Sequence, residues 1–213
     1  TAQLSGYFDS QIVPIEVKER KKPLLVDKDE HPRSDSTFDA LAKLPPAFSS
    51  EGTVTAGNSS AINDGAAAIV LASKEACKEY GLTPLAKLGP WSVKAVELKR
   101  VGVAPVPVMR QVLSSAGLEL NDVGLIEINE AFASYILACV KEMKLDRSRL
   151  NVNGSGLSLG HPVGATGSRI VVTLLHEMIR REEGLGIASP PLPFSPVGFS
   201  AEMERVRPRP SSG

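Results

Sequence analysis

The chain has 213 residues, 42% of them hydrophobic and 23% charged, which is enough apolar material for one or two cores. Its 24 basic and 24 acidic side chains cancel, which argues against a nucleic acid or an anionic membrane surface as the main partner. No run of about 18 apolar residues is present to span a bilayer, and two distant cysteines, Cys77 and Cys139, with no CxxC spacing argue against a disulfide framework or a structural zinc site and fit a reducing compartment. The first residue is Thr1, and "TAQLSGYFDS" reads as the interior of a longer chain, so a targeting segment is left open.

Residues 1–62 read as mostly irregular. They hold a strand-like alternation over Ile12–Val17 and a helical turn or two over Thr37–Leu44, stopped by Pro45 and Pro46. So much loop in a compact domain suggests a binding excursion. The apolar run 66–73 reads as a buried strand, and 74–82 as a helix closed by Gly81. Residues 85–96 form a strand interrupted at Gly89–Pro90, and 105–118 a helix entered through prolines and ended by Gly117. A strand over 122–129, a helix over 130–145 and a brief strand over 149–153 follow. A long helix over 167–184 then leads into a strand over 185–189. Alternation of this kind implies an α/β fold with a largely buried sheet. After Ser189 the sequence turns Pro- and Ser-rich, and residues 190–213 read as a tail without regular structure.

Ligands of α/β sheets sit beyond the C-terminal ends of the strands. Two segments reach that rim: "IEINEAFA", which ends a strand at Asn129, and "NGSGLSLGHPVGATGS" (153–168), which holds His161 between Gly160 and Pro162. His161 reads either as a hydrogen-bonded structural histidine or as a general base or oxyanion donor. Asn129 either caps the next helix or holds a water or an oxyanion, and Glu130 can simply favour the helix dipole. The glycine spacing misses GxGxxG by one position and no GK[ST] follows, so nucleotide binding is a weak reading. Cys139 shares one helix face with Phe132, Tyr135, Ile136, Val140 and Met143 and reads as inert core. His31 and His176 have no metal-like spacing with His161, so no metal site is expected. The small-residue loop "EGTVTAGNSSAINDGAA" is a linker or the wall of an extended ligand channel, and spacing does not decide between them.

Together "DEHPRSDSTFDALAKLPPAF", "GTVTAGNSSAINDGAAAIVLAS", "IEINEAFA" and "NVNGSGLSLGHPVGATGSR", in this order, resemble the thiolase family of acetyl-CoA C-acyltransferases over about residues 1–189. The resemblance implies the thiolase fold: a mixed sheet flanked by helices, here without the N-terminal half and the last strands. Residues 1–62 would belong to the coenzyme A-binding loop region, 63–83 to the end of the N-terminal half, 84–189 to the C-terminal half, and 190–213 to a divergent tail. It implies acyl transfer between acyl-CoA and CoA or acetyl-CoA, with no permanently bound cofactor and coenzyme A or acyl-CoA as substrate. His161 of the GHP motif would assist the nucleophile and donate to an oxyanion, and Asn129 of the NEAF motif would hold the water that completes the oxyanion hole. Ser60 would meet the pantetheine arm, Phe48 and Leu44 would line the coenzyme A channel, and Arg33 would lie near its nucleotide end. A dimer or tetramer and a cytoplasmic location are expected, with organellar targeting left open.

Thiolases act through two cysteines, and neither motif is present in this chain. The nucleophile belongs to the N-terminal half, and the base follows a "GLGIAS"-like strand where this sequence has Pro190–Pro191 and no later cysteine. Proline has no titratable proton. The loss of the match after Ser189 reads as a frameshift, an altered splice or an artificial junction. The chain alone is therefore expected to lack turnover. Two other readings remain open: a non-catalytic coenzyme A-binding module, and an interaction fragment that pairs with an intact thiolase.

Overall fold

The computed structural model describes residues 2–18, 22–190 and 197–205, with the backbone alone for 197–203. Strands β1 (Ile15–Lys18) and β2 (Pro23–Val26) form an isolated antiparallel hairpin with Ile15 opposite Val26. Helix α1 (Phe38–Ala42) starts where Thr37 Oγ1 accepts the Ala40 N–H at 3.2 Å. Helix α2 (Lys74–Glu79) starts in the same way on Ser73. Each cap satisfies an amide that a short helix would otherwise leave open.

The second half is layered. Strands β3 (Ala86–Ala95), β4 (Leu125–Ile128), β5 (Leu185–Ser189) and β6 (Val197–Arg205) form one mixed sheet in the order β3-β6-β5-β4. β4 and β5 run parallel; β6 is antiparallel to both β5 and β3. The β3–β6 register shifts between Leu88 and Trp91, around the Gly89–Pro90 break, because Pro90 has no N–H to give to a ladder.

Helices α3 (Pro105–Ala116) and α4 (Ala133–Met143) cover one sheet face. Val106, Met109, Ile136 and Cys139 pack there against Ile126, Ile128 and Ile187. Helix α6 (Thr166–Arg181) covers the other, with Ile170, Leu174 and Met178 against Leu125 and Ala188. Burial on both faces explains why β4 and β5 read as apolar runs. A side chain at Gly186 would come within 2.7 Å of Met178 Sδ, so glycine sets the approach of α6. A short helix α5 (Gly156–Leu159) precedes the GHP loop. Gly117, at φ +68, ends α3 as its sequence suggests.

Three expectations are corrected. Residues 66–73 form no strand, and Val70 and Leu71 are exposed, because no neighbouring strand takes up their backbone groups. The brief strand over 149–153 is a single bridge from Leu150 to Ile126. The reading of 190–213 as a tail without structure fails for 197–205: β6 lies inside the sheet where the last strands were expected to be absent. The prolines that argued against a strand all precede this stretch, and "VGFSAEMER" alternates with period two. The rest of that tail lies outside the described residues.

Candidate active site

Three loops meet beyond the end of β4. Asn129 follows the strand directly and is almost fully buried. Asn151, at φ +47, holds the strand end on both sides. Its Oδ1 accepts the Ile128 N–H at 2.8 Å and its Nδ2 donates to the Ile128 carbonyl at 2.8 Å. Ser155 Oγ donates to the same carbonyl at 3.2 Å. Glu130 accepts from Asn151 Nδ2 at 2.9 Å and from the Leu157 N–H at 3.4 Å. Asn129 is thus aimed by its neighbours on both sides. A Cβ at Gly156 would stand 2.7 Å from Asn129 Oδ1, so this approach requires glycine.

His161 enters from the Gly-rich loop. Gly160, at φ +96, turns the chain in a region closed to most side chains, and a Cβ there would strike the Asn63 side chain. The His161 N–H then faces the Ala61 carbonyl and Asn63 Oδ1, both at 3.2 Å. Its ring is buried. Nδ1 lies 2.7 Å from Thr166 Oγ1. Asn129 Nδ2 lies 3.3 Å from Nε2 and 3.4 Å from Nδ1. Burial, and next the positive charge of Arg169, hold the imidazole below its ordinary range, so the ring is neutral at neutral pH. Asn129 Oδ1 is buried and has no protein donor among the described residues.

The third loop carries Ser60. Its N–H donates to the Ala131 carbonyl at 2.9 Å, and Ser59 and Ile62 bridge to Phe132 and His161. Ser60, Asn129 and His161 therefore share one rim. Phe48 reaches the same rim, edge-on to Phe132 with ring centroids 6.1 Å apart, and stays 76% exposed. Leu44 is a step further out; a Cβ on Gly57 would stand 2.6 Å from its side chain. Arg33 is exposed in the loop ahead of α1, and no described contact joins it to this rim.

Sequence reasoning missed the supporting residues. Thr166, Asn63, Asn151, Ser155 and Arg169 are distant from Asn129 or His161 in the chain or lack periodic signal. The one usable hint is that Thr166 and Arg169 fall in the first turn of the helix after the GHP motif, at the sheet rim. Arg169 Nη2 donates to Ser155 Oγ at 3.1 Å, which ties α6 to the end of β4. Glu127, buried in β4 on the α6 side, has its carboxyl pushed up to about 8, chiefly by burial; Glu130 and Glu177 add to this and Arg169 opposes it. Cys139 is core, as its helix face suggests: burial pushes its thiol up to about 12 and its Sγ lies 3.6 Å from the Gly102 carbonyl oxygen. Among the described residues no group of three or more His, Cys, Asp or Glu side chains is placed to hold a metal ion, and no helix is long and apolar enough to cross a membrane.

An α/β layer with a buried Asn–His pair at its sheet rim is the class that this geometry defines. The family models agree: the thiolase C-terminal domain matches residues 82–191 and the thiolase N-terminal domain matches residues 1–75. The chain belongs to the thiolase family. It is 49% identical over 185 residues to acetyl-CoA acetyltransferase of Escherichia coli, a match that covers 87% of this chain and 47% of that protein. It is 47% identical over 181 residues to mitochondrial 3-ketoacyl-CoA thiolase of Bos taurus, covering 85% of this chain and 46% of that protein. The crystal structure of Bacillus anthracis acetyl-CoA acetyltransferase superposes with a TM-score of 0.94 at 51% identity, over 96% of this chain and 52% of that one. Human mitochondrial 3-ketoacyl-CoA thiolase in complex with CoA superposes with a TM-score of 0.85 at 37% identity, over 97% of this chain and 51% of that one. The chain spans about half the length of the curated relatives that it matches.

Proposed function

We propose that this chain carries the oxyanion site and the coenzyme A-facing loops of a thiolase-type acyltransferase. The observation that carries this reading is the Asn129–His161 pair, buried at the rim and pinned to the Ser60 loop. Negative charge gathers on a thioester oxygen when its neighbouring carbon loses a proton or its carbonyl is attacked. Neutral donors fixed beforehand at that oxygen stabilise the transition state more than the ground state. Asn129 Oδ1 is an acceptor free to hold a water that points at the thioester oxygen, and His161 serves the nucleophilic thiol and the oxygen. Ser60 at the rim would meet the pantetheine arm, with Phe48 at the rim and Leu44 a step further out lining the coenzyme A channel, which supplies orientation. Arg33 would meet the nucleotide end.

The family's two cysteines have no counterpart here, since Cys139 is buried and Cys77 lies in α2. The 213-residue chain by itself should therefore bind coenzyme A thioesters without turning them over. Titration with acetoacetyl-CoA should shift the ring signals of His161 in a ¹H–¹⁵N spectrum, with no thiolytic cleavage on adding coenzyme A. Absence of binding at millimolar ligand would refute the site. Cleavage that is lost in His161→Ala would refute the claim of inactivity. The exposed apolar residues of the first half support assembly into a dimer or tetramer. The two unbonded cysteines support a reducing compartment such as the cytoplasm.

A further inference from the structure

Among the described residues, Thr166 is the one side chain that contacts His161 Nδ1 from the helix side, and its hydroxyl has a single proton to give. Its Oγ1 lies 2.7 Å from Nδ1 and 3.0 Å from the Pro162 carbonyl oxygen. The carbonyl can only accept. Both contacts are hydrogen bonds in one arrangement alone: the hydroxyl donates to Pro162 O, and Nδ1–H donates to the hydroxyl oxygen. The opposite ring nitrogen is then a bare lone pair. Asn129 Nδ2 lies almost equidistant from Nε2 and Nδ1, at 3.3 and 3.4 Å, which places it off the ring plane and along neither lone pair, so the Thr166 contact alone sets the assignment. The same nitrogen at 3.4 Å from Nδ1 faces another donor and makes no bond there. Both contacts of the Thr166 hydroxyl are satisfied by this single assignment, and Thr166 and Asn129 are both almost fully buried, so water does not compete freely.

We propose that Thr166 is a positioning residue that fixes His161 in the tautomer with its proton on Nδ1, leaving Nε2 as the acceptor at the site. This rests on the reading of His161 as the residue that serves a thiol and an oxyanion, and it sets the order of those two tasks. Nε2 cannot donate first. It takes the proton of a thiol: the S–H bond breaks, its electron pair stays on sulfur as the thiolate, and the proton forms the Nε2–H bond of an imidazolium. That imidazolium then donates to the oxygen on which charge develops. Burial and Arg169, which keep the resting ring neutral, are what make a tautomer rather than a charge the resting state. Arg169 on α6 is the one charge that acts on the ring among the described residues, and it is itself faced by Glu127 on β4, Glu130 after it and Asp29 from the N-terminal region.

Ring ¹⁵N chemical shifts distinguish the two tautomers directly, and the three histidines can be assigned with a His161→Gln control. The unliganded chain above neutral pH should show a protonated Nδ1 and a bare Nε2 at His161. Thr166→Val, which keeps the shape and removes the acceptor, should return the ring to the Nε2–H form that free histidine favours in water; Thr166→Ser should restore the parent pattern. An Nε2–H ring in the parent chain overturns the proposal without any variant, even if Thr166→Val does not fold. So does a Thr166→Val chain that melts earlier with its tautomer unchanged, which is a merely structural role. No ligand enters this measurement. A chain with the expected tautomer that fails to bind acetoacetyl-CoA would refute the functional reading alone, and binding with the wrong tautomer would refute this one alone.

Discussion

Residues 104–188 contain all the buried apolar side chains of the described protein except Phe8, whereas residues 13–93 contain most of the large apolar side chains left exposed. The two regions do not differ in having hydrophobic residues. They differ in having partners for them. In the second region β4 and β5 pair side by side within the sheet and helices cover both faces, so most apolar positions meet another element. Ahead of β3, the first region has a two-stranded hairpin and two helices of five and six residues, which are too short to build a core. It keeps its course through anchors on the second: Ser60 on Ala131, Ile62 beside His161, Ser10 on His176, and Tyr7 under Arg180. The candidate site is one of the seams between them. This region meets the rim in order yet leaves Ile62 and Val70 exposed.

The strongest way to break this comparison is to cut into each region in turn. Met109 and Ile170 are fully buried on opposite faces of the sheet. Replacing either with alanine should cost about 2–5 kcal/mol, through lost transfer energy and the cavity left behind. Val70→Ser and Leu71→Ser should stay within about 0.5 kcal/mol, because both side chains are already exposed. Urea unfolding followed by far-ultraviolet circular dichroism measures both. Equal losses would mean that the first region folds onto an apolar surface in solution and that the contrast does not hold.

A second difference lies in charge. The second region buries Glu127 in its core, where the carboxyl is pushed up to about 8 from an ordinary 4.5. Between those values the folded state keeps a proton that the unfolded state has lost. Stability contributed by this group is therefore full below about pH 4.5 and declines as pH rises towards 8, by an amount on the order of a few kcal/mol. His161 has the opposite sign: its folded range is lowered, so its contribution is present above the ordinary histidine range and is lost as pH falls below it. Thermal melts across pH 5–8 should show the decline in the parent chain and a flatter profile in Glu127→Gln. A parent profile that does not differ from that of Glu127→Gln would show that Glu127 is not the source of the decline.

How much was legible in the sequence follows the same division. Helices α3, α4 and α6 and strands β3, β4 and β5 stood out because their caps, prolines and apolar periods are local signals that tertiary packing then rewards. The run 66–73 carried as strong a signal and formed no strand, because a strand exists only where another strand takes its hydrogen bonds. β6 was hidden by prolines that precede it, which made composition speak louder than the alternation from Val197 to Met203. At the site, Asn129 and His161 were visible because glycine and proline frame them. Their supports were not. Asn151 lies 23 residues beyond Ile128, and Asn63 lies 98 residues before His161, separations that no period spans.

The smallest expected effect uses the one cysteine that each region holds. Cys77 sits in α2 and is partly exposed; Cys139 sits in α4, buried against the Gly102 carbonyl. Thiolate is the reactive form, and burial with the nearby Glu142 charge pushes the Cys139 thiol up to about 12, so almost none is ionised at neutral pH. One equivalent of thiol should react with 5,5′-dithiobis(2-nitrobenzoic acid) in native buffer, and peptide mapping should place it at Cys77. The second equivalent should appear only in denaturant, with a midpoint that follows the circular dichroism transition. Fast native labelling of Cys139 would mean that α4 opens from the sheet on its own. The buried region would then be no more closed than the exposed one, and the contrast between them would rest on packing in the static fold alone.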